Sequence, residues 1–247
     1  MGAPQYNACM RNTRKSLLAV FLLAGVTRAF SFGIFERPVK LDGTVIPHPA
    51  AASDFTLTDQ QGQPFRMSDM KGRVVVMTFI YTHCTDLCPF LTLKLKSARD
   101  QLGKDADKAV FVAVTTDPPR DTQKVIAAYS RTAGLYDAWH FLTGPVPAVK
   151  DVWFNYGVGV DIEKPAEGGK AEETPRGAAM DAEPTQGLST EEQDLAHKIV
   201  DQFGGGYDVS HSAPFWIIDR AGRIRASMDA DVLPSQIASN VRALMSR

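Results

Sequence analysis

The chain has 247 residues and a formal net charge of −1, with 44% hydrophobic and 22% charged residues. Such averages exclude a wholly disordered chain and a polytopic membrane protein, and they leave no whole-molecule basic field for nucleic acid. At about 150 residues per domain, the length fits one large domain, two small ones, or one domain with additions.

The near-neutral total hides two local biases. Residues 1–40 carry Arg11, Arg14, Lys15, Arg28, Arg37 and Lys40 against Glu36 alone, a net of +5. Residues 161–194 carry ten acids against Lys164, Lys170 and Arg176, a net of −7.

The basic end has the form of an export signal. Arg11, Arg14 and Lys15 precede an apolar run over 17–26 broken only by Ala and Gly, the pattern of a signal peptide. A core of that length is shorter than the roughly 18 apolar residues of a spanning helix. The apolar character nevertheless resumes over 29–35, so residues 1–35 are expected to be either a cleaved signal peptide or a retained membrane anchor. In both cases the positive residues keep the N-terminus cytoplasmic and the remainder outside. That places the protein in a bacterial periplasm; a mitochondrial inner-membrane location is the weaker reading, because the segment is not clearly amphipathic. Cys9 precedes the apolar core and has no expected role. Residues 36–52, rich in Pro, Gly and Ala, read as a linker to a domain over 53–247.

Beyond the linker, Asp54 to Thr58 alternates like a strand, Gln61-Gly62-Gln63-Pro64 turns, and Phe65-Arg66-Met67 returns, which predicts a β-hairpin. Ser68 is placed to cap a short turn before Gly72. Residues 73–81 are β-branched and apolar on both faces, as in a central strand covered on both sides. After Pro89, Leu91, Leu95, Ala98 and Leu102 recur at helical spacing up to Gly103. Pro89 suits that helix's first turn. A second apolar strand follows over 109–115, then a helix over 121–132, a short strand over 139–142 and a helix over 147–156. This alternation implies βαβ units and a largely parallel sheet.

The rhythm stops after Val160. Residues 163–192 hold Glu, Gly, Ala, Pro and Thr and almost no large apolar side chain, so they cannot build a core. A flexible acidic insertion is expected over 163–206, with a helical turn regained after the capped start Ser189-Thr190-Glu191-Glu192. Order returns with a strand over 213–218, the turn Asp219-Arg220-Ala221-Gly222, an antiparallel return over 223–228 and a closing helix over 233–245. The expected fold class is α/β, a central mixed sheet flanked by helices with an N-terminal hairpin, and a Cys pair set between strand and helix is the placement of a thioredoxin-like active site.

Cys84 and Cys88 sit where the central strand gives way to a helix. On a first helical turn, positions i and i+4 share a face about 6 Å apart. That spacing permits a disulfide and equally lets two thiolates reach one metal ion. The helix N-terminus favours the thiolate form for either use. In an oxidising compartment the bland alternative is a structural disulfide. One close pair is a poor scaffold for a domain of this size.

The stretch Phe79-Ile80-Tyr81-Thr82-His83-Cys84-Thr85-Asp86-Leu87-Cys88-Pro89 resembles the signature of the Sco/SenC family of copper-binding proteins. Asp117-Pro118-Pro119-Arg120-Asp121-Thr122 resembles a second block of that family, and Ser210-His211-Ser212-Ala213 a third. The resemblance runs from about Asp54 to the C-terminus, apart from the acidic insertion. It implies a membrane-tethered, thioredoxin-like protein that delivers copper to the binuclear Cu-A centre of cytochrome c oxidase. It also implies Cys84, Cys88 and His211 as metal ligands. Two soft thiolates suit Cu(I), and an added imidazole also supports Cu(II). The implied partners are the copper-bearing oxidase subunit, and other copper chaperones or thiol reductants. The alternative is a thiol–disulfide oxidoreductase whose redox pair, Cys84 and Cys88, reduces a partner's copper-site cysteines. The two activities exclude each other at any instant, since metal ligation needs both thiolates reduced. A peroxiredoxin-like peroxidase fits less well, lacking the Pro and Thr placement before the Cys.

Three departures from the family pattern are visible. Thr85 stands where the family usually has Pro, Ser210 where it often has Asp, and the acidic segment separates the Cys pair from His211. His83 adjoins Cys84 but points apart from it on a turn, so a structural role is expected. Asp86 is read as a solvated loop acid, and His48, His140 and His197 as linker, strand-edge and loop residues without a role. Asp117, Arg120, Asp121 and Thr122 are expected to cap and brace the second helix.

Overall fold

The computed structural model describes residues 39–162 and 185–246. The signal or anchor, Cys9 and the most acidic part of the insertion therefore lie outside the described residues. Among the described residues, no helix is long and apolar enough to cross a membrane.

In chain order the elements are β1 (Thr44–Val45), β2 (Thr56–Thr58), β3 (Pro64–Arg66), β4 (Val74–Ile80), α1 (Leu87–Leu102), β5 (Ala109–Thr115), α2 (Gln123–Thr132), β6 (His140–Leu142), α3 (Val146–Asn155), β7 (Val160–Ile162), α4 (Thr190–Phe203), β8 (Val209–His211), β9 (Phe215–Ile218), β10 (Ile224–Met228) and α5 (Pro234–Met245). Short 3₁₀ turns follow β3 and α1.

The centre of the molecule is β4 beside β5. Every residue of both strands is buried, which is why both read as continuous apolar runs rather than alternating ones. They pair in parallel, Val74 opposite Ala109 through Ile80 opposite Thr115, and β6 continues the parallel set. On its other side β4 pairs antiparallel with β9, then β10, then β1, giving one mixed sheet of six strands in the order β1-β10-β9-β4-β5-β6. Successive side chains point to opposite faces. Val74, Val76 and Ile80 pack beneath α1 and α5 among Phe90, Leu91, Leu95, Ile237 and Val241. Val75, Met77 and Phe79 face the β2–β3 hairpin and α3 with Leu57, Phe65, Val149 and Trp153. The thioredoxin-like α/β fold with a central mixed sheet is the expected one, but only the β4–β5 and β5–β6 pairings are parallel, where the alternation implies a largely parallel sheet.

Three further expectations change. The linker over 36–52 is part of the domain from Val39 onward: Leu41 is buried, β1 pairs with β10, and Ala51 bridges Arg223. Without this segment β10 would be a bare sheet edge, whose N–H and C=O groups invite pairing. Two-residue strands carry no readable period, so composition alone suggested a tether.

The flexible insertion expected over 163–206 is likewise too wide at its C-terminal end. Ala196 and Ile199 are buried on a helix resting on α1, Leu195 and Phe203 pack beside them, and Leu188 is buried just before the helix starts. Ser189 caps it by accepting the Glu192 N–H, while Glu192 accepts the Ser189 N–H. His197 accordingly sits on α4, not in a loop, with its ring edge-on to Phe90 at 5.8 Å.

Finally, the helix expected over 121–132 starts at Gln123. Thr122 is the cap, its hydroxyl accepting the Val125 N–H at 3.4 Å. Asp117 and Asp121 do not cap; both carboxyl groups turn into the protein and are fully buried. Ser68 lies within the 3₁₀ turn rather than capping it, and donates its backbone N–H to Asp54.

Candidate metal centre

β4 ends at Ile80 and α1 begins at Leu87, so the six residues Tyr81 to Asp86 form a loop on the carboxyl end of the central strand. Cys84 lies in that loop and Cys88 in the first turn of α1, both almost completely buried. Both are free thiols. Each is among the influences on the other's ionisation.

The pair is strongly asymmetric. The Cys84 thiol is held below its ordinary range, first by the S–H of Cys88 and then by the backbone N–H groups of Cys88 and Asp86 and the Tyr81 hydroxyl, against the opposing effect of burial. Burial pushes the Cys88 thiol well up, and the hydrogen bond to Cys84 and its negative charge push the same way. The two thiols are therefore shifted in opposite directions, Cys84 toward easier and Cys88 toward harder ionisation. The neutral Tyr81 hydroxyl is kept protonated by burial and by the neighbouring Cys84 charge.

His211 arrives from a different part of the chain. It is the last residue of β8, opposite Val160 of β7 in a two-stranded antiparallel ribbon. Ser212 N–H donates to the Gly159 carbonyl at 3.1 Å and locks the ribbon's end. The His211 ring packs edge-on against Tyr81, with centroids 5.7 Å apart. Its Nδ1 lies 3.1 Å from the Ser212 carbonyl, which accepts only from N–H and so assigns the proton to Nδ1. Nε2 is left with its lone pair and lies 3.6 Å from Cys88 Sγ, within hydrogen-bonding reach of that thiol. Burial lowers the His211 pKa, which keeps the ring neutral at neutral pH.

The structure thus brings Cys84, Cys88 and His211 together across 123 residues of sequence. Among the described residues, no three His, Cys, Asp or Glu side chains are already gathered as a metal cage. Each sulfur is engaged with its neighbour instead. The other candidates stay apart from this cluster. His83 Nδ1 sits 2.8 Å from the Thr82 hydroxyl, and His140 Nδ1 sits 3.1 Å from Asp59. The pKa of Asp86 is raised by burial and by Asp208.

Two residues beneath the loop escaped sequence reasoning. Asp121 accepts the Thr82 N–H at 3.2 Å, the Thr82 hydroxyl at 2.5 Å and the Thr115 hydroxyl at 2.6 Å, tying the Cys loop to the end of β5. Tyr81 accepts the Val209 N–H at 3.3 Å and so joins the Cys loop to the strand that carries His211. The only signals in the sequence were their positions, one beside the Cys motif and one inside the Asp117–Thr122 block.

A buried, asymmetric dithiol at the start of a helix on a thioredoxin-like sheet, faced by an imidazole nitrogen, defines a thioredoxin-like dithiol protein with a histidine at its site. More specifically, residues 44–180 match the model of the SCO1/SenC family, and the chain belongs to that family. Cys84 and Cys88 lie within the match, and His211 lies beyond it. A SCO2-like protein of Rickettsia prowazekii is 29% identical over 124 residues, covering 50% of this chain and 55% of that one, so the chain spans about half of that relative's length. The copper-bound structure of ScoI from Bradyrhizobium japonicum superposes with a TM-score of 0.58 at 23% identity, over 79% of this chain and 99% of that one. BsSco, described as a member of the Sco family of cytochrome c oxidase assembly proteins with a disulfide switch, superposes with a TM-score of 0.55 at 18% identity, over 82% and 98%.

Proposed function

We propose that this chain is an exported copper chaperone that binds one copper ion through Cys84, Cys88 and His211 and delivers it to the Cu-A centre of a respiratory cytochrome c oxidase. The observation that carries the reading is the approach of His211 Nε2 to Cys88 Sγ. A free imidazole lone pair 3.6 Å from a sulfur is at the separation of two donors sharing one ion, given metal–donor bonds near 2 Å. The donor chemistry fits copper: two thiolates for Cu(I), with the imidazole extending the site to Cu(II). Three protein donors leave one side open for an acceptor to compete for the ion. Loading requires that Cys88 release its proton, so uptake is coupled to proton release. Support for an oxidase as the destination comes from family membership and from the role stated for BsSco.

A second reading follows from the opposite shifts of the two thiols, the more easily ionised Cys84 suiting a nucleophilic and Cys88 a resolving cysteine. It makes the protein a thiol–disulfide oxidoreductase acting on a partner's copper-site cysteines. Burial of both sulfurs counts against it, because a disulfide substrate has to reach the attacking atom. His211 decides between the two. With His211→Ala in the reduced full-length protein, Cu(I) binding by the two thiolates should persist while Cu(II) affinity falls about 100-fold or more. A titration in which Cu(II) affinity and the copper spectrum are unchanged by His211→Ala rules out the three-donor site.

A further inference from the structure

His211 is reached through an unstable-looking stretch of chain. Between α4 and β8 stand three consecutive glycines, residues 204–206, and Gly205 and Gly206 both have positive φ, 121° and 86°. Glycine runs lose the most conformational freedom on ordering, so something outside this segment has to hold it. Gly204 is tied back to α4 by donating its N–H to the Val200 carbonyl at 2.8 Å, and the rest of the run is held largely by Arg120. Its Nη1 donates to the Gly205 carbonyl at 3.1 Å. Its guanidinium lies 3.5 Å over the Tyr207 ring and 5.6 Å from the Tyr81 ring. Its Nε bonds one carboxyl oxygen of the fully buried Asp117, and the Tyr207 hydroxyl donates to the other at 2.7 Å. The glycines are shaped to this fit. A Cβ on residue 206 would come within 2.8 Å of Arg120 Nη1, and one on residue 204 within 2.9 Å of the Thr85 methyl in the Cys loop. Gly205 completes the seal by donating its N–H to the His83 carbonyl at 3.1 Å.

We propose that Arg120, with Asp117 and Tyr207, is a positioning residue that fixes the His211-bearing strand over the cysteine pair; the proposal rests on the reading of His211 as a copper ligand. Arg120 is the point where three pieces of chain meet: the turn after β5, the glycine run, and the Tyr81 ring against which His211 packs. The role needs a planar guanidinium, because stacking on Tyr207, the Asp117 bond and the Gly205 bond use its face and two edges at once. A lysine ammonium keeps the charge but cannot make that set.

The test is amide hydrogen exchange on the reduced, metal-free, full-length chain, read at Val209 N–H. Arg120→Ala should speed exchange there about tenfold or more, the effect of losing one cation–π stack and a charged hydrogen bond. Arg120→Lys should fall between wild type and Arg120→Ala, and it serves if the alanine variant folds poorly. Thr122→Ala, which removes only the α2 cap, should leave Val209 unchanged. The proposal is overturned if both Arg120 variants exchange within about twofold of wild type, or if Thr122→Ala speeds Val209 equally. A copper(II) titration adds a second arm, in which Arg120→Ala weakens binding in the wild-type background and has no further effect in His211→Ala. Should His211→Ala itself leave Cu(II) binding intact, the three-donor copper reading has failed while the exchange result still decides the clamp.

Discussion

Cys88→Ser is expected to reduce copper affinity of the reduced protein by about a thousandfold or more, because a hydroxyl is a hard, neutral donor where a soft thiolate is needed. Cys84→Ser should cost at least as much, yet the two variants should differ in the chemistry they retain. In Cys88→Ser the serine hydroxyl and the backbone N–H groups of residues 86 and 88 can still donate to Cys84, so its pKa stays lowered. In Cys84→Ser the surviving Cys88 keeps a thiol pushed up by burial. Alkylation by iodoacetamide at neutral pH should therefore be faster in Cys88→Ser than in Cys84→Ser. Its rate should fall as pH drops through the depressed Cys84 value, where the thiolate takes up its proton. Equal rates in the two variants would show that the asymmetry assigned to the pair is wrong. Retained stoichiometric copper in either would show that both sulfurs are not required.

The largest effect on stability is expected at Asp121. Its carboxyl group is fully buried and takes the Thr82 N–H, the Thr82 hydroxyl and the Thr115 hydroxyl. Asp121→Ala leaves those three donors without an acceptor and opens a void beneath the Cys loop. A cost of about 3–5 kcal/mol is expected, since orphaned buried donors lose their full desolvation energy. For a domain of this size that lowers the melting temperature by roughly 10 °C. Asp121→Asn retains the volume but turns an NH₂ group toward at least one hydroxyl, and should lie between the two. A denaturant melt showing less than about 1 kcal/mol for Asp121→Ala would mean that the network is not holding the loop.

Much of this architecture is legible in the residues, and the failures share a cause. The runs over 74–80 and 109–115 could only be buried central strands, because every position is apolar or small. The Cys pair at the strand-to-helix junction was equally plain, since chain order alone places it. The edge strand β1 was not, because two residues carry no period and their pairing partner lies near the other end of the chain, Thr44 against Ser227. Helix α4 was merged into the acidic insertion because its buried face is small, with Ala196 and Ile199 as its fully buried residues. The functions of Asp121, Arg120 and Tyr207 were hidden for a related reason. Near in sequence to a helix start, an Asp or Thr reads as a cap, and only the fold shows Asp121 reaching back 39 residues to Thr82 and Arg120 reaching forward 85 residues to Gly205. Local chemistry is visible in sequence; which distant segment that chemistry serves is a property of the packed sheet.

The copper site proposed for this chain joins two sulfurs and one nitrogen that lie 123 residues apart in sequence. X-ray absorption at the copper edge, on the reduced full-length protein loaded with one equivalent of copper, reads that donor set directly. The expected result is one tightly held copper per chain with two sulfur neighbours and one imidazole nitrogen, the nitrogen contribution vanishing in His211→Ala. A protein that holds no stoichiometric copper, or whose copper neighbours are the same with and without His211, would contradict it.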